Sequence, residues 1–125
     1  MTRTLFEAQQ SGDAPWQEVV LATRDYTVYK DQYPVTEGHV LFVPSQENWQ
    51  HVTKCWEAAY RWGAEWTESG YCDAFNIGMN VGASAGQTVY YPHIHLIPRR
   101  QGDMQDPRGG VRHVIPEKGN YKLEN

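Results

Sequence analysis

The sequence lacks several features that would place a protein in a membrane or on a polyanion. No apolar run approaches the length needed to span a bilayer, and residues 1–4 lack the apolar core of a signal peptide. Positive charge is scarce, with a formal net charge of −4 and a pI near 5.7. A general nucleic-acid or membrane-surface binder would need a concentrated basic face. We therefore expect a cytoplasmic protein with no membrane partner and no general nucleic-acid binding.

Cysteine is also scarce, and no triphosphate-binding loop is present. Cys55 and Cys72 are the only two cysteines, and their spacing matches neither a redox pair nor a zinc knuckle. We expect both to be buried, reduced thiols. The five histidines make a metal conceivable, with His39, His93 and His95 as ligands, but a zinc site would usually want a carboxylate or thiolate partner. We expect no metal and no cofactor. The sequence also has no Gly-x-x-x-x-Gly-Lys motif.

The length of 125 residues predicts one domain, residues 1–125, which is large enough to bury a core. Segments rich in β-branched and aromatic residues predict strands, and a short helix is expected within residues 3–10. The predicted strands are residues 19–22, 26–30, 39–43, 74–79 and 88–97.

A different periodicity runs from about residue 52 to residue 69. Apolar residues recur there with the helical period, opposite a charged face, and Gly70 follows as an end signal. The tryptophans of this segment are expected to pack it on the sheet. The prediction is an α+β fold, in which one main amphipathic helix packs on a five-stranded antiparallel sheet. The predicted inner face comprises Val52, Cys55, Ala59, Trp62, Gly63 and Trp66.

Residues 86–98 concentrate the chemistry of the chain. If this stretch is a strand, alternate residues share a face, so Val89, Tyr91, His93, His95 and Ile97 point one way. The two histidines would lie about 7 Å apart, within reach of one phosphate group or one metal ion. The glycine and threonine that precede them are suited to anion binding through backbone and hydroxyl donors. A purely structural role for the histidines remains the alternative.

The same residues carry a family resemblance. The run Gly86–Val89, then Tyr91–His95, closed by Leu96–Arg99, resembles the signature of the histidine-triad superfamily of nucleotide hydrolases and transferases. That signature is normally His-x-His-x-His, so this chain is similar to a member with Tyr91 in place of the first histidine. The resemblance covers about residues 5–116, and Asp106–Arg112 resembles the tail of a bacterial branch. Residues 99–125 are expected to form a C-terminal loop and tail.

The resemblance implies a hydrolase that cleaves a purine nucleotide at its α-phosphate, in a dinucleoside polyphosphate or a nucleoside phosphoramidate. His93 would be the nucleophile of a nucleotidyl-histidine intermediate, oriented by a hydrogen bond to the main-chain carbonyl of residue 91. His95 would contact phosphate oxygens and support charge in the transition state. Because Tyr91 keeps that carbonyl, the substitution need not abolish the orientation of the nucleophile.

Further roles follow from matching positions in the family. Asp31 would bind the ribose hydroxyls, although an aspartate before Tyr33-Pro34 is also a common turn initiator. His39 would support the site by hydrogen bonding, and Tyr91 would either do the same or simply fill the space of the missing ring. Asn80, Gln87 and Thr88 would bind the phosphates. Tyr29 and Leu41 would line the base pocket, although both would pack just as naturally in the core.

Two other functions remain open from the sequence. A nucleotidyl transferase would use another phosphate in place of water as the acceptor. A nucleotide-binding protein with little turnover would result if Tyr91 has weakened catalysis. Family members often dimerise, so a homodimer is possible. The sequence does not identify the leaving group or the preferred base.

Overall fold

The computed structural model describes residues 2–121. Seven elements build the domain, and a short helix follows them in the tail. In chain order they are α1 (Leu5–Ser11), β1 (Val19–Ala22), β2 (Tyr26–Lys30), β3 (Val40–Pro44), α2 (Trp49–Ser69), β4 (Ala74–Gly78), β5 (Ile94–Arg99) and α3 (Pro116–Gly119).

The five strands form one sheet in the order β1-β2-β3-β5-β4, and every neighbouring pair is antiparallel. The predicted α+β architecture, with one main helix on a five-stranded antiparallel sheet, is confirmed. The strand bounds predicted at 19–22 and 26–30 agree with the structure, and those predicted at 39–43 and 74–79 are each off by one residue.

The predicted strand 88–97 is wrong over its first half. Residues 88–93 form no ladder, and β5 begins only at Ile94, opposite Phe42. Pro92 has no N–H to donate to a neighbouring strand, which explains why the ladder does not extend back through it. His93 is therefore presented by an irregular segment just before β5, whereas His95 lies within the strand.

The sheet separates two groups of buried side chains. On β3, Val40 and Phe42 face α2, while Leu41 and Val43 face the side of α1. His95 is the register partner of Leu41, which places it on the α1 side. The α1 side of the core consists of Leu5, Ala8, Ala14, Trp16, Tyr29, Leu41, Val43 and Tyr91.

Helix α2 begins three residues before its predicted start and ends at the predicted residue. Asn48 caps its first turn by accepting from the His51 N–H at 2.9 Å, and Gly70 closes it in the left-handed conformation at φ 83°. All six residues predicted for its inner face are buried or packed against the core. Trp62 and Trp66 pack against the core as expected, whereas Trp56, which is not part of the predicted inner face, is 39% exposed.

The tail is more ordered than the loop predicted after Pro98. It holds a 3₁₀ turn at Gly110–Val114 and then α3, and the Arg112 guanidinium donates to the carbonyl of Gly119 at 3.3 Å. Residues 122–125 of the predicted tail lie outside the described residues. Both cysteines are buried and unpaired, as expected. Among residues 2–121, no helix is both long and apolar enough to cross a membrane.

Candidate active site

His93 is held by the backbone of the residue that breaks the triad pattern. Its Nδ1 lies 2.8 Å from the carbonyl oxygen of Tyr91. A carbonyl only accepts, so Nδ1 carries the proton and donates it, which leaves the lone pair on Nε2. The neutral His93 ring therefore carries its lone pair on Nε2, and His93 lines the cavity.

The phenol of Tyr91 points away from that cavity. The side chain is fully buried, and its hydroxyl donates to the carbonyl of Pro44 at 2.7 Å. The guanidinium carbon of Arg3 lies 5.4 Å from the centre of its ring. Burial, together with the charge of Glu47, raises the pKa of Tyr91, while Arg3 opposes that shift. Tyr91 therefore anchors the segment before His93 to the end of β3, and its hydroxyl does not meet a ligand.

A hydrogen-bond chain fixes the second histidine. The backbone N–H of Val35 donates to Nδ1 of His39 at 3.1 Å, so the proton of His39 sits on Nε2. That Nε2 lies 2.9 Å from Nδ1 of His95, which must accept. The proton of a neutral His95 is consequently on its own Nε2, where it is free to bond a ligand in the cavity.

Asp31 completes this group from the end of β2. Its Oδ2 lies 3.4 Å from Nε2 of His39 and 4.0 Å from Nδ1 of His95. Its Oδ1 accepts from the backbone N–H of Tyr33 at 2.8 Å, which is the turn-initiating role considered from the sequence. The carboxylate also lines the cavity. Asp31 therefore stabilises the turn that follows β2 and also lines the cavity.

The three groups Asp31, His39 and His95 resemble a metal-binding cluster by distance alone. One ligand atom from each lies within 4.8 Å of the others. However, a metal ligand must offer a lone pair, and Nε2 of His39 is occupied by the proton that the Val35 hydrogen bond places there. The cluster as bonded therefore does not fit a metal ion.

Burial keeps the histidines of the site neutral. The pKa of His93 is lowered by burial, although the Tyr91 carbonyl and Asp31 oppose the shift. The pKa of His95 is lowered to about 4, because burial and the neighbouring His39 and His93 disfavour a charged ring more than Asp31 favours it. The pKa of His39 is also lowered by burial, against the effect of Asp31. The lowered pKa of His93 favours the unprotonated ring at neutral pH.

The predicted phosphate-binding residues surround the same cavity, which has a volume of about 290 Å³. Asn80 and Thr88 line it. Gln87 lines it too, but its Oε1 accepts from the Gly82 N–H at 2.8 Å and its Nε2 donates to the Val89 carbonyl at 3.1 Å. Gln87 therefore joins the backbone of Gly82 to that of Val89 and keeps at most one N–H for a phosphate.

The two residues assigned to the base pocket differ in position. Leu41 lines the cavity, whereas Tyr29 is 2% exposed, does not line it, and accepts from Gln9 through its hydroxyl at 3.0 Å. Trp16 contacts both Tyr29 and His93, with its ring centre 6.0 Å from that of Tyr29 and 4.8 Å from that of His93. In this structure Tyr29 occupies the core position that the sequence left open.

Sequence reasoning missed several residues that line the cavity. Trp16 is the largest, and nothing in its local sequence pattern connects it to the histidines. Its position after Pro15 and before β1 was the available signal, because an aromatic residue ahead of a first strand has to pack somewhere on the sheet. Gly86 and Val89, which the sequence already placed with the histidines, also line it, and the missed lining residues are Pro15, Trp16, Gln32 and Tyr33.

The chain is similar in sequence to proteins named as nucleotide polyphosphatases. The bis(5'-adenosyl)-triphosphatase of Dictyostelium discoideum is 29% identical over 117 residues, covering 85% of this chain and 74% of the relative. The asymmetrical bis(5'-nucleosyl)-tetraphosphatase of Schizosaccharomyces pombe is 26% identical over 96 residues, covering 71% of this chain and 53% of the relative.

Solved structures show the same fold. A Zn-bound histidine triad family protein from Mycobacterium smegmatis superimposes with a TM-score of 0.67 and 30% identity, covering 82% of this chain and 79% of the other. The model of the HIT domain matches residues 15–102, a range that includes His93, His95 and all five strands of the sheet. On this match the chain belongs to the HIT domain family.

Proposed function

We propose that this protein is a nucleotide hydrolase that cleaves at the α-phosphate through a covalent intermediate on His93. The observation that carries the proposal is the hydrogen bond from Nδ1 of His93 to the Tyr91 carbonyl. It places the proton of the neutral ring on Nδ1, and burial lowers the pKa of His93 so that the Nε2 lone pair is available, which is what nucleophilic catalysis by histidine requires. The relatives named above as polyphosphatases support a nucleotide substrate.

In the first step, the Nε2 lone pair of His93 forms a bond to the α-phosphorus. The bond between that phosphorus and the bridging oxygen breaks, and its electron pair leaves with the departing group. Nδ1–H stays bonded to the Tyr91 carbonyl, which stabilises the positive charge that the ring acquires. In the second step, water attacks the phosphorus, the P–N bond breaks with its electron pair returning to Nε2, and a proton is released with the nucleoside monophosphate.

His95 would stabilise the charge that develops on the phosphate oxygens. Its Nε2–H is available because His39 occupies Nδ1. A preorganised donor of this kind typically contributes about a hundredfold or more to the rate. Asn80 and Thr88 would add neutral donors, and Asp31 would accept from the ribose hydroxyls, which favours ribonucleotides.

The same hydrogen bonds favour a phosphoanhydride as the bond that is cleaved. A neutral His95 whose Nδ1 accepts from His39 cannot give up its Nε2 proton without becoming an imidazolate, and the hydroxyl of Tyr91 is out of reach. The site thus holds no evident general acid for a basic leaving group. A departing nucleoside polyphosphate needs no such proton at pH 7, so a dinucleoside polyphosphate is favoured over a phosphoramidate.

Product analysis tests this function. The protein is incubated with diadenosine triphosphate, with and without inorganic phosphate, and the nucleotides are separated by chromatography. A hydrolase releases adenosine monophosphate in both conditions. Adenosine diphosphate in excess of adenosine monophosphate, formed only when phosphate is added, would indicate a nucleotidyl transferase. Tight nucleotide binding with no product in either condition would indicate a binding protein.

A further inference from the structure

Trp16 occupies a position that decides how far a ligand can enter the site. Its indole is 9% exposed and is part of the same core as Tyr29 and Leu41, yet it also forms a wall of the cavity beside His93. The ring centre lies 4.8 Å from that of His93, tilted by 57°. One side chain therefore contacts the nucleophile and closes the core behind it.

Trp16 lines the cavity, whereas Tyr29, whose ring it contacts, does not. Tyr29 is 2% exposed, lies 6.0 Å from Trp16 between ring centres, and uses its hydroxyl to bond Gln9. A ligand at the histidines thus meets Trp16 before it could meet Tyr29. An indole with so little exposed surface also has no free face on which a base could stack fully.

We propose that Trp16 is a specificity-determining residue that sets the depth of the nucleoside pocket. The indole stops the base of a bound nucleotide beside Leu41, so that the base stays towards the rim formed by Gln32 and the 86% exposed Tyr33. This inference rests on the proposed function in so far as the ligand is a nucleotide.

The consequence is weak discrimination between bases. A base that remains near the rim keeps much of its hydration, and apolar contact contributes to affinity only in proportion to the area removed from water. Replacing the indole by a smaller apolar side chain extends the pocket towards Tyr29. The larger purine then gains more buried area than a pyrimidine does.

The test measures binding rather than turnover. Adenosine monophosphate and cytidine monophosphate are titrated by calorimetry into the wild-type protein and into Trp16→Leu. The wild type should bind the two nucleotides within about threefold of each other, and Trp16→Leu should bind adenosine monophosphate about tenfold more tightly with a smaller change for cytidine monophosphate. Unchanged or weaker binding of adenosine monophosphate by folded Trp16→Leu would overturn the inference.

Two further variants separate pocket depth from stability. Val43→Ala also removes buried apolar volume from the α1 side of the core, but Val43 does not line the cavity, so it should lower stability and leave both affinities unchanged. If Trp16→Leu fails to fold, Trp16→Phe keeps an aromatic ring and should show a smaller gain of the same sign. No gain in folded Trp16→Phe then overturns the inference.

The outcomes for the two proposals are distinct. Tighter purine binding by the Trp16 variants without any covalent adduct would support the pocket assignment and contradict the hydrolase. An adduct on His93 with unchanged base preference in the Trp16 variants would support the hydrolase and contradict the pocket assignment. If folded wild-type protein and folded variants bind neither nucleotide, the pocket assignment is wrong together with the nucleotide ligand.

Discussion

One hydrogen bond joins His39 and His95, with 2.9 Å between Nε2 of His39 as donor and Nδ1 of His95 as acceptor. The backbone N–H of Val35 fixes which nitrogen of His39 donates, and His39 in turn fixes which nitrogen of His95 carries a proton. A backbone group that is remote from the cavity thereby sets the orientation of a donor in the cavity.

Replacing His39 by Gln should disturb this relay without removing a group that meets the substrate. Glutamine offers an N–H to His95 but no ring nitrogen to accept from Val35, so the tautomer of His95 is less strictly held. We expect kcat to fall by about tenfold or more, with a smaller change in KM. Nitrogen-15 NMR should show His95 as the Nε2–H tautomer in the wild type and as a mixture in His39→Gln.

The control for this variant is His51→Gln. His51 lies on α2 and bonds Asn48, away from the cavity, so its replacement should leave kcat and the His95 tautomer unchanged. A His39→Gln protein with wild-type kcat and an unaltered His95 spectrum would show that the relay has no part in catalysis.

Tyr91→Phe should separate anchoring from chemistry. The variant loses the hydroxyl bond to Pro44 but keeps the carbonyl that accepts from His93. The free energy of unfolding should therefore fall by about 1 kcal/mol, while kcat/KM stays within about threefold of the wild type. Urea unfolding and steady-state kinetics measure the two effects. A loss of activity of a hundredfold or more with intact stability would mean that the phenol takes part in the reaction.

Leaving-group basicity should govern the rate. Diadenosine triphosphate and adenosine 5'-phosphoramidate present the same nucleoside and α-phosphate but differ in whether the departing group needs a proton. Because His95 and Tyr91 supply none, kcat/KM at pH 7 should be about a hundredfold or more higher for the polyphosphate. Equal values for the two substrates would show that the site holds a general acid that the hydrogen bonds do not reveal.

Stability should decrease as the pH falls from neutrality. The pKa of His95 is about 4 in the folded protein and 6.5 in the absence of perturbation, so between these values the unfolded chain binds more protons than the folded one. At pH 5 this single group should cost about 2 kcal/mol relative to pH 7.5, and the lowered pKa values of His39 and His93 act in the same direction.

Urea unfolding of the wild type and of His95→Gln at both pH values isolates that contribution. The variant should lose less stability on acidification, since carboxylates titrate in both proteins alike. An equal loss of stability in the two proteins would indicate that His95 is not held neutral by the fold.

Periodicity was enough to predict the fold because it records which side chains are buried. The inner face of α2 is such a local pattern, and its prediction was correct at the level of single residues. The error at residues 88–93 arose where Pro92 and the buried Tyr91 interrupt a run that otherwise has the composition of a strand. Composition does not show that the Tyr91 carbonyl accepts from the His93 side chain instead of from the backbone of a neighbouring strand.

The site was less accessible to sequence reasoning because its contacts join distant segments. The motif identified His93 and His95, and the carbonyl of residue 91 was available whatever its side chain. The bond between His39 and His95 joins residues 56 positions apart, and its donor is set by a third residue, Val35. Trp16 reaches His93 only through the packing of the core, so no spacing predicts it.

The most direct test of the central claim is rapid-quench mass spectrometry of the protein mixed with diadenosine triphosphate. The account predicts an adenylyl adduct within the first turnover, mapped to His93 and absent from His93→Ala, in spite of Tyr91 at the first triad position. Formation of adenosine monophosphate with no adduct, or an adduct on another residue, would contradict a His93 intermediate. Nucleotide binding with neither adduct nor product would contradict the hydrolase itself.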